Sequence, residues 1–157
     1  MSGVSKAIVQ PLLSWYDAGH RDLPWRSKPA PYRVWVSEIM LQQTRVEAVR
    51  GYFSRWMNAL PDIPALAAAD EAVYTKLWEG LGYYSRVRNL HRAAVLLCEE
   101  YGGELPADYD RLLALPGVGE YTAGAVASIA YGRRAAAVDG NVLRVFARLT
   151  ACRDDIL

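Results

Sequence analysis

The chain has 157 residues, of which 52% are hydrophobic and 22% charged, so it can bury a core and lacks the composition of a disordered protein. It contains no run of 18 apolar residues, which argues against a spanning helix, and its first 20 residues lack the apolar stretch of a secretory signal. Eighteen basic residues nearly balance 17 acidic ones, so the net charge of +1 neither requires nor excludes a nucleic acid partner.

The residue types add two expectations. Two cysteines, Cys98 and Cys152, are too few for a disulfide framework, a four-thiolate zinc site or a conventional iron–sulfur cluster, so we expect no metal site in this chain and a reducing, cytoplasmic setting. Fifteen of the 18 basic residues are Arg, which suits bidentate phosphate contacts but also follows from a biased genomic base composition.

The hydrophobic pattern predicts helices joined by short loops, with no strand alternation, and therefore an all-α fold. Thr44 and Glu47 predict a capping box, whereas Asp70, Asp108 and Asp139 stand where helices are expected to begin. Helices are predicted over residues 4–17, about 32–43, 44 to about 60, a short stretch near 61–64, 70 to about 79, 85–101, 108–115, 120–131 and 139 to about 150.

The most informative segment is Leu-Pro-Gly-Val-Gly at residues 115–119, between two predicted helices. Gly117 and Gly119 let the backbone turn sharply, and their amides, with the start of the next helix, form a concave site for a phosphate oxygen. The small residues Ala123, Gly124 and Ala127 allow that helix to lie close against the first. This pattern favours a helix–hairpin–helix that grips DNA backbone; the alternative is a corner that merely packs.

Two carboxylates are candidates for chemistry. Glu38 shares a largely apolar helical stripe, where poor solvation would raise its pKa and suit it to general acid catalysis, although a surface Glu fits the same pattern. Asp139 can be a plain N-cap, or an ionised group held by the helix dipole that stabilises an oxocarbenium ion. Together they suggest glycosidic-bond chemistry on DNA.

The motifs resemble the N-terminal part of MutY-type adenine DNA glycosylases, in the helix–hairpin–helix superfamily that includes endonuclease III. The matching stretches follow one another along nearly the whole chain. They are Leu23-Pro24-Trp25-Arg26, residues 31–44 (PYRVWVSEIMLQQT), residues 78–86 (WEGLGYYSR), residues 88–91 (RNLH), the hairpin at residues 115–125 and Asp139-Gly140-Asn141-Val142.

The resemblance implies excision of adenine mispaired with 8-oxoguanine or guanine, after the base is flipped into a pocket. Glu38 then corresponds to the acid that protonates adenine N7, and Asp139 to the carboxylate that stabilises the oxocarbenium ion or briefly bonds to it. The remaining roles implied are orientation of these groups by Tyr121 and Asn141, an adenine pocket at Trp25 and Arg26, duplex wedging by Gln43, Leu81 and Tyr83, and DNA backbone contact by Arg86, Arg88, Pro116, Gly117, Val118 and Gly119.

Two features distinguish neighbouring families. Endonuclease III-like lyases carry a Schiff-base Lys after the hairpin, where this chain has Tyr121, so a monofunctional glycosylase is expected. Thymine-mismatch glycosylases lack the Glu corresponding to Glu38, because a pyrimidine has no N7 to protonate. Two alternative functions remain open for the chain. It can be a catalytically silent helix–hairpin–helix DNA-binding module or a glycosylase for another base.

The family's domain organisation leads to further expectations. Residues 23–135 correspond to a six-helix barrel module, with the helix–hairpin–helix at about 108–131, and residues 1–22 and 136–157 to part of a cluster module. The family's [4Fe-4S] cluster would need cysteines beyond residue 157, so no cofactor is expected here. The expected partner is double-stranded DNA with A opposite 8-oxoguanine or G, in the cytoplasm or the bacterial nucleoid, with no membrane.

Two consequences concern the 157-residue chain by itself. Without the rest of the cluster module, the apolar residues Val142, Val145 and Phe146 must stay exposed, pack back on the barrel or drive self-association. Since each outcome threatens the placement of Asp139, we expect weak catalysis or none. We also expect Glu38 and Asp139 to line one cavity on the side of the hairpin.

Overall fold

The computed structural model describes residues 3–153, with side chains from Ala7 to Arg153. This part of the chain is helical and without strands, which confirms the predicted all-α class, and it contains no helix long and apolar enough to cross a membrane. The helices are α1 (Gly3–Gly19), α2 (Pro31–Leu41), α3 (Val46–Ala59), α4 (Ile63–Ala67), α5 (Glu71–Trp78), α6 (Ser85–Tyr101), α7 (Tyr109–Leu113), α8 (Glu120–Ala125), which continues into a π-helical segment (Val126–Ala130), and α9 (Gly140–Leu149).

These helices form two compact units. Residues 23–137 make up the large unit, which contains α2 to α8 and the π segment. The described residues 3–22 and 138–153 make up the small unit, which contains α1 and α9. That these two units correspond to the barrel and cluster modules of the family stays a prediction.

The core of the large unit is rich in tryptophan. The rings of Trp56 and Trp78 meet edge to face at 5.7 Å between centroids, and both side chains are fully buried. The indole Nε1 of Trp56 donates to the hydroxyl of Tyr32 at 3.0 Å, and that hydroxyl donates to the carbonyl of Leu60 at 2.9 Å. The buried polar atoms in this chain of bonds are therefore satisfied, as a packed interior requires.

Helix α2 is central to the large unit. It packs against α3, α6, α8 and the π segment, and seven of its eleven residues are buried. Its sequence suits this position because only Arg33 and Glu38 among its eleven residues are charged. Glu38 therefore lies on a helix that packs against four other elements of the large unit.

The predicted capping box at the start of α3 is wrong. The helix begins at Val46 with Arg45 as N-cap and no side-chain cap, and Glu47 pairs with Arg50 at 3.0 Å instead. The Thr44 hydroxyl donates to the carbonyl of Gln42 at 3.3 Å. The Thr44 side chain, which the local pattern assigned to the cap of α3, thus bonds to the residue that ends α2. Asp70 does precede α5, but its side chain makes no cap hydrogen bond either.

The second hairpin helix differs from the single helix predicted over residues 120–131. It changes to π-helical geometry at Val126, and the Ser128 hydroxyl donates to the carbonyl of Gly124 at 2.7 Å. That carbonyl is the acceptor that the Ser128 amide would use in an α-helix. Gly124 was expected to lie close against the first hairpin helix. Its near neighbour is instead Ala136, because a Cβ at Gly124 would lie 2.0 Å from the Ala136 carbonyl oxygen. The close approach is therefore to the segment leading out of the large unit.

The small unit leaves large apolar side chains open to solvent. Helix α9 has no buried residue, and Val145 and Phe146 are 50% and 43% exposed. In α1, Leu12 and Trp15 are 57% and 66% exposed. Of the three outcomes expected for the apolar face of α9, the structure shows exposure for Val145 and Phe146.

Candidate active site

Glu38 lies in α2, and Gln42, four residues later, is the residue that ends this helix. Both side chains meet the first turn of α8: the Tyr121 hydroxyl bonds to the Glu38 carboxylate, and Gln42 Nε2 lies 3.4 Å from Thr122 Oγ1. Thr122 is buried, whereas Tyr121 is 37% exposed. The fold therefore brings the predicted pair Glu38 and Tyr121 together. It adds Gln42 and Thr122, which lie in the matching stretches but had been assigned no role.

The surroundings of Glu38 favour its protonated form. Burial raises the pKa of the Glu38 carboxyl, and the hydrogen bond from Tyr121 and the charge of Arg26 lower it by less. A carboxyl that is half-buried and hydrogen-bonded in this way has the properties of a general acid. This outcome agrees with the apolar stripe seen in the sequence.

Asp139 lies in the opposite kind of environment. Its Oδ1 accepts from the backbone amides of Val142 and Asn141 at 2.9 and 3.0 Å, and its Oδ2 accepts from Asn141 Nδ2 at 2.8 Å. The bond from the Val142 amide is the main cause that lowers the pKa of Asp139; burial opposes it, and the two bonds from Asn141 lower the pKa further. Asp139 is thus the predicted N-cap of α9, and the same hydrogen bonds stabilise its ionised form.

The two residues predicted to form the base pocket differ in exposure. Trp25 is 6% exposed and packs edge to face on Phe53, with 5.4 Å between ring centroids. Arg26 is exposed, and its charge acts on Glu38. Of the two, Arg26 is the one whose side chain is open to solvent next to the acid.

The hairpin loop requires glycine at one of its two glycine positions. Gly117 has a φ of +75°, and a Cβ there would lie 2.7 Å from Asn89 Cβ. Gly119 is extended, with a φ of −97°, and serves as N-cap of α8 with open space around it. Among the described residues the amides of Gly117 and Gly119 have no acceptor, whereas the Val118 amide donates to Leu115 at 3.1 Å.

Three side chains were predicted to enter a duplex. Gln43 and Tyr83 are exposed, and both have left-handed backbone conformations, with φ values of +56° and +46°. Leu81 is only 6% exposed and packs in the core, so its insertion would require the 81–83 loop to rearrange. The structure therefore presents Gln43 and Tyr83, and it uses Leu81 to anchor the loop.

The predicted contact of Arg86 with DNA backbone needs correction. Its guanidinium is turned inward, where it bonds to backbone carbonyls at the end of α2 and in the 81–82 loop, and it lies over the Trp78 ring at 5.2 Å. Burial accordingly lowers the pKa of Arg86. Arg88 is exposed and pairs with Glu71 at 3.1 Å, a contact that an incoming phosphate could replace because exposed ion pairs are weak.

The iron–sulfur cluster of the family does not fit the residues of this chain. Cys98 is half-buried beside Gly103, Cys152 is exposed, and two thiols cannot supply four thiolates. The described residues also contain no group of three or more His, Cys, Asp or Glu side chains that could hold a metal ion.

Comparison with known proteins identifies the family. Residues 36–156 match the HhH-GPD superfamily of base excision DNA repair proteins. The chain belongs to this superfamily. The predicted helix–hairpin–helix glycosylase fold is thereby confirmed, while the roles of individual site residues stay predictions.

Among HhH-GPD relatives, the adenine DNA glycosylase of Mus musculus is 50% identical over 153 residues, which cover 92% of this chain and 30% of the mouse protein. The chain thus spans about a third of the length of that relative. This similarity confirms the predicted resemblance to adenine DNA glycosylases.

Two solved structures superpose on most of the chain. A thermostable thymine-DNA glycosylase is 30% identical with a TM-score of 0.85, and the match covers 91% of this chain and 66% of that one. A non-covalent endonuclease III–DNA complex is 27% identical with a TM-score of 0.83, and the match covers 99% and 74% of the two chains. The fold is therefore shared with a thymine-DNA glycosylase and with an endonuclease III bound to DNA.

Proposed function

We propose that this chain is the part of an adenine DNA glycosylase that binds the flipped adenine and hydrolyses its N-glycosidic bond. The observation that carries the proposal is the half-buried Glu38 carboxyl, whose pKa is raised by burial and which the Tyr121 hydroxyl holds in place. A purine needs such an acid because protonation at N7 turns the base into a good leaving group. The adenine glycosylases at 40–50% identity support the choice of base.

The reaction assigns one task to each carboxyl group. Glu38 donates its proton to adenine N7 while the bond between C1′ and N9 breaks, and the electron pair of that bond passes into the purine. The ionised Asp139 stabilises the oxocarbenium ion left on the sugar. Water then adds to C1′ and loses a proton to solvent, which leaves an abasic site and free adenine. Asn141 holds the Asp139 carboxylate at 2.8 Å and so orients it.

The remaining residues bind the duplex in this proposal. The amides of Gly117 and Gly119, next to the start of α8, receive a phosphate oxygen, and Gln43 and Tyr83 enter the stack beside the mispair. Arg26 lines the side of the base pocket next to Glu38. Tyr121, where a lyase would have Lys, makes the activity monofunctional. The substrate is adenine opposite 8-oxoguanine or guanine.

Single-turnover excision on matched duplexes tests the proposal. The longest natural form of the protein is incubated with A opposite 8-oxoguanine, A opposite G, T opposite G, or thymine glycol, and duplex affinity is measured in parallel. Release of adenine from the first two duplexes alone is the expected result. Excision of thymine or thymine glycol would indicate a glycosylase for another base, and tight binding without any excision would indicate a silent DNA-binding module.

A further inference from the structure

Arg86 connects two loops that are distant in sequence. It projects from the first turn of α6 and reaches both the end of α2 and the loop that precedes α6. Its Nη1 donates to the carbonyls of Ile39, Met40 and Gln42. Its Nη2 donates to the carbonyls of Leu81 and Gly82 and to the Thr44 hydroxyl, at 2.9–3.4 Å.

This guanidinium has nothing left to offer a phosphate. Its two terminal nitrogens share their four N–H groups among six acceptors, and its Nε is buried without a partner. The positive charge lies at the C-terminal end of α2, where helix carbonyls lack intrahelical partners and the helix dipole is negative. The Trp78 and Tyr83 rings flank it at 5.2 and 5.8 Å.

The two loops that Arg86 joins share an unusual property. Each contains a non-glycine residue in the left-handed region, Gln43 at φ +56° and Tyr83 at φ +46°. Both side chains are exposed, and Tyr83 is 65% exposed. Such conformations persist only where the surrounding structure imposes them. The acceptors of Arg86 stand on both sides of Gln43 and immediately before Tyr83, so its bonds supply that constraint.

We propose that Arg86 is a positioning residue that joins the 42–44 and 81–83 loops into one rigid platform, from which Gln43 and Tyr83 meet a damaged duplex together. The DNA-facing half of this inference rests on the function proposed above. The coupling of the loops does not, and it can be measured in the free protein.

Amide hydrogen exchange tests the coupling. The Thr44 amide donates to Leu41 and the Leu81 amide donates to Trp78, so each reports on one loop. Arg86→Lys keeps the charge but cannot span both loops, and it should speed exchange at both amides by about tenfold or more. Arg55→Lys is the matched control, because Arg55 also stacks on a ring, that of Tyr52 at 4.5 Å, but lies exposed on α3. Faster exchange at one loop only, or at neither, would overturn the coupling.

A measurement on the unmodified protein covers the case in which Arg86→Lys does not fold. In native-state exchange at low guanidinium chloride, the Thr44 and Leu81 amides should open in a single step with the same denaturant dependence. Two separate openings with different dependences would show that the loops are independent, and would overturn the proposal without any variant.

Duplex unstacking tests the DNA-facing half. A 2-aminopurine placed beside the adenine opposite 8-oxoguanine should brighten when the wild-type protein binds. Arg86→Lys should lose most of this signal while keeping its affinity for an undamaged duplex. Lower affinity for every duplex with a salt dependence reduced by about one, and normal unstacking, would instead make Arg86 a phosphate contact and overturn the proposal. If wild type itself fails to unstack the probe, the proposed function fails, and the exchange result still decides the coupling.

Discussion

Glu38 and Asp139 lie in regions that are built in different ways. Glu38 stands in the middle of α2, where burial dominates its environment, and the groups that act on it, Tyr121 and Arg26, lie outside its own helix. Asp139 stands at the start of α9, and the groups that bond to it are the next few residues, Asn141 and Val142. One region raises the pKa of a carboxyl by burial and the other lowers it by hydrogen bonds.

The difference shows how each carboxyl can be disturbed. The Glu38 environment depends on the packing of α2 against α8, so substitutions at a distance should change it. The Asp139 environment is a local cap, so it should survive changes in packing and respond mainly to its own side chain. Substitutions in the two regions should therefore have different consequences.

Replacing Glu38 by Gln keeps the shape of the side chain and removes the proton that it donates. In the longest natural form of the protein, Glu38→Gln should slow adenine excision by ~10²–10⁴-fold, the usual contribution of general acid catalysis. Single-turnover rates measure this loss, and affinity for the mispaired duplex serves as the control. A variant that excises adenine at nearly the wild-type rate would remove Glu38 from the mechanism.

Gly124→Ala tests how far the large unit depends on close packing. The new Cβ would lie 2.0 Å from the Ala136 carbonyl oxygen, so the segment at 136–137 must shift, at a cost of about 1–3 kcal/mol in unfolding free energy. Gly51→Ala is the matched control in the middle of α3, where the nearest atom is the end of Arg55 at 3.4 Å, and it should stabilise the chain by about 0.5–1 kcal/mol. Denaturant unfolding measures both changes. Equal changes in unfolding free energy for the two variants would contradict the close contact between Gly124 and the Ala136 carbonyl.

Asp139→Ala and Asp139→Asn separate the cap from the charge. Removal of the cap in the Ala variant should weaken the first turn of α9 by about 1 kcal/mol, whereas Asn, which caps as well, should leave it nearly unchanged. Exchange of the Val142 amide, which donates to Asp139 at 2.9 Å, measures the turn. Both variants should lose excision, because neither carries the charge. Normal excision by Asp139→Asn would show that the charge is dispensable.

The smallest expected effect is a displacement of the pH–rate profile. Excision needs a protonated Glu38, so the rate should fall as pH rises through the pKa of Glu38. It also needs an ionised Asp139, so the rate should fall as pH drops through the lowered pKa of Asp139. Tyr121→Phe removes a hydrogen bond that lowers the pKa of Glu38, so the alkaline limb should move to higher pH and the acid limb should stay in place. An alkaline limb that moves down would reverse the assigned effect of Tyr121.

Features that depend on neighbours along the chain could be predicted from the amino-acid sequence. The all-α class follows from hydrophobic periodicity, α6 begins and ends at the predicted residues, and Asp139 caps α9 through bonds that span two or three residues. The left-handed turn at Gly117 is also local, because only glycine adopts that φ without strain. The resemblance to adenine glycosylases identified the family from the same local motifs.

The contacts of Thr44 and Arg86 depend instead on segments that are distant along the chain. Thr44 has the pattern of a cap, yet its hydroxyl accepts from Arg86, which is 42 residues away. Arg86 belongs to a basic cluster in the sequence, yet it is turned inward toward the carbonyls of Ile39 and Met40 at the end of α2. The physical reason is the same in both cases. Acceptors left without partners near a helix end attract whichever donor the fold brings within reach, and the fold is set by the packing of the whole core.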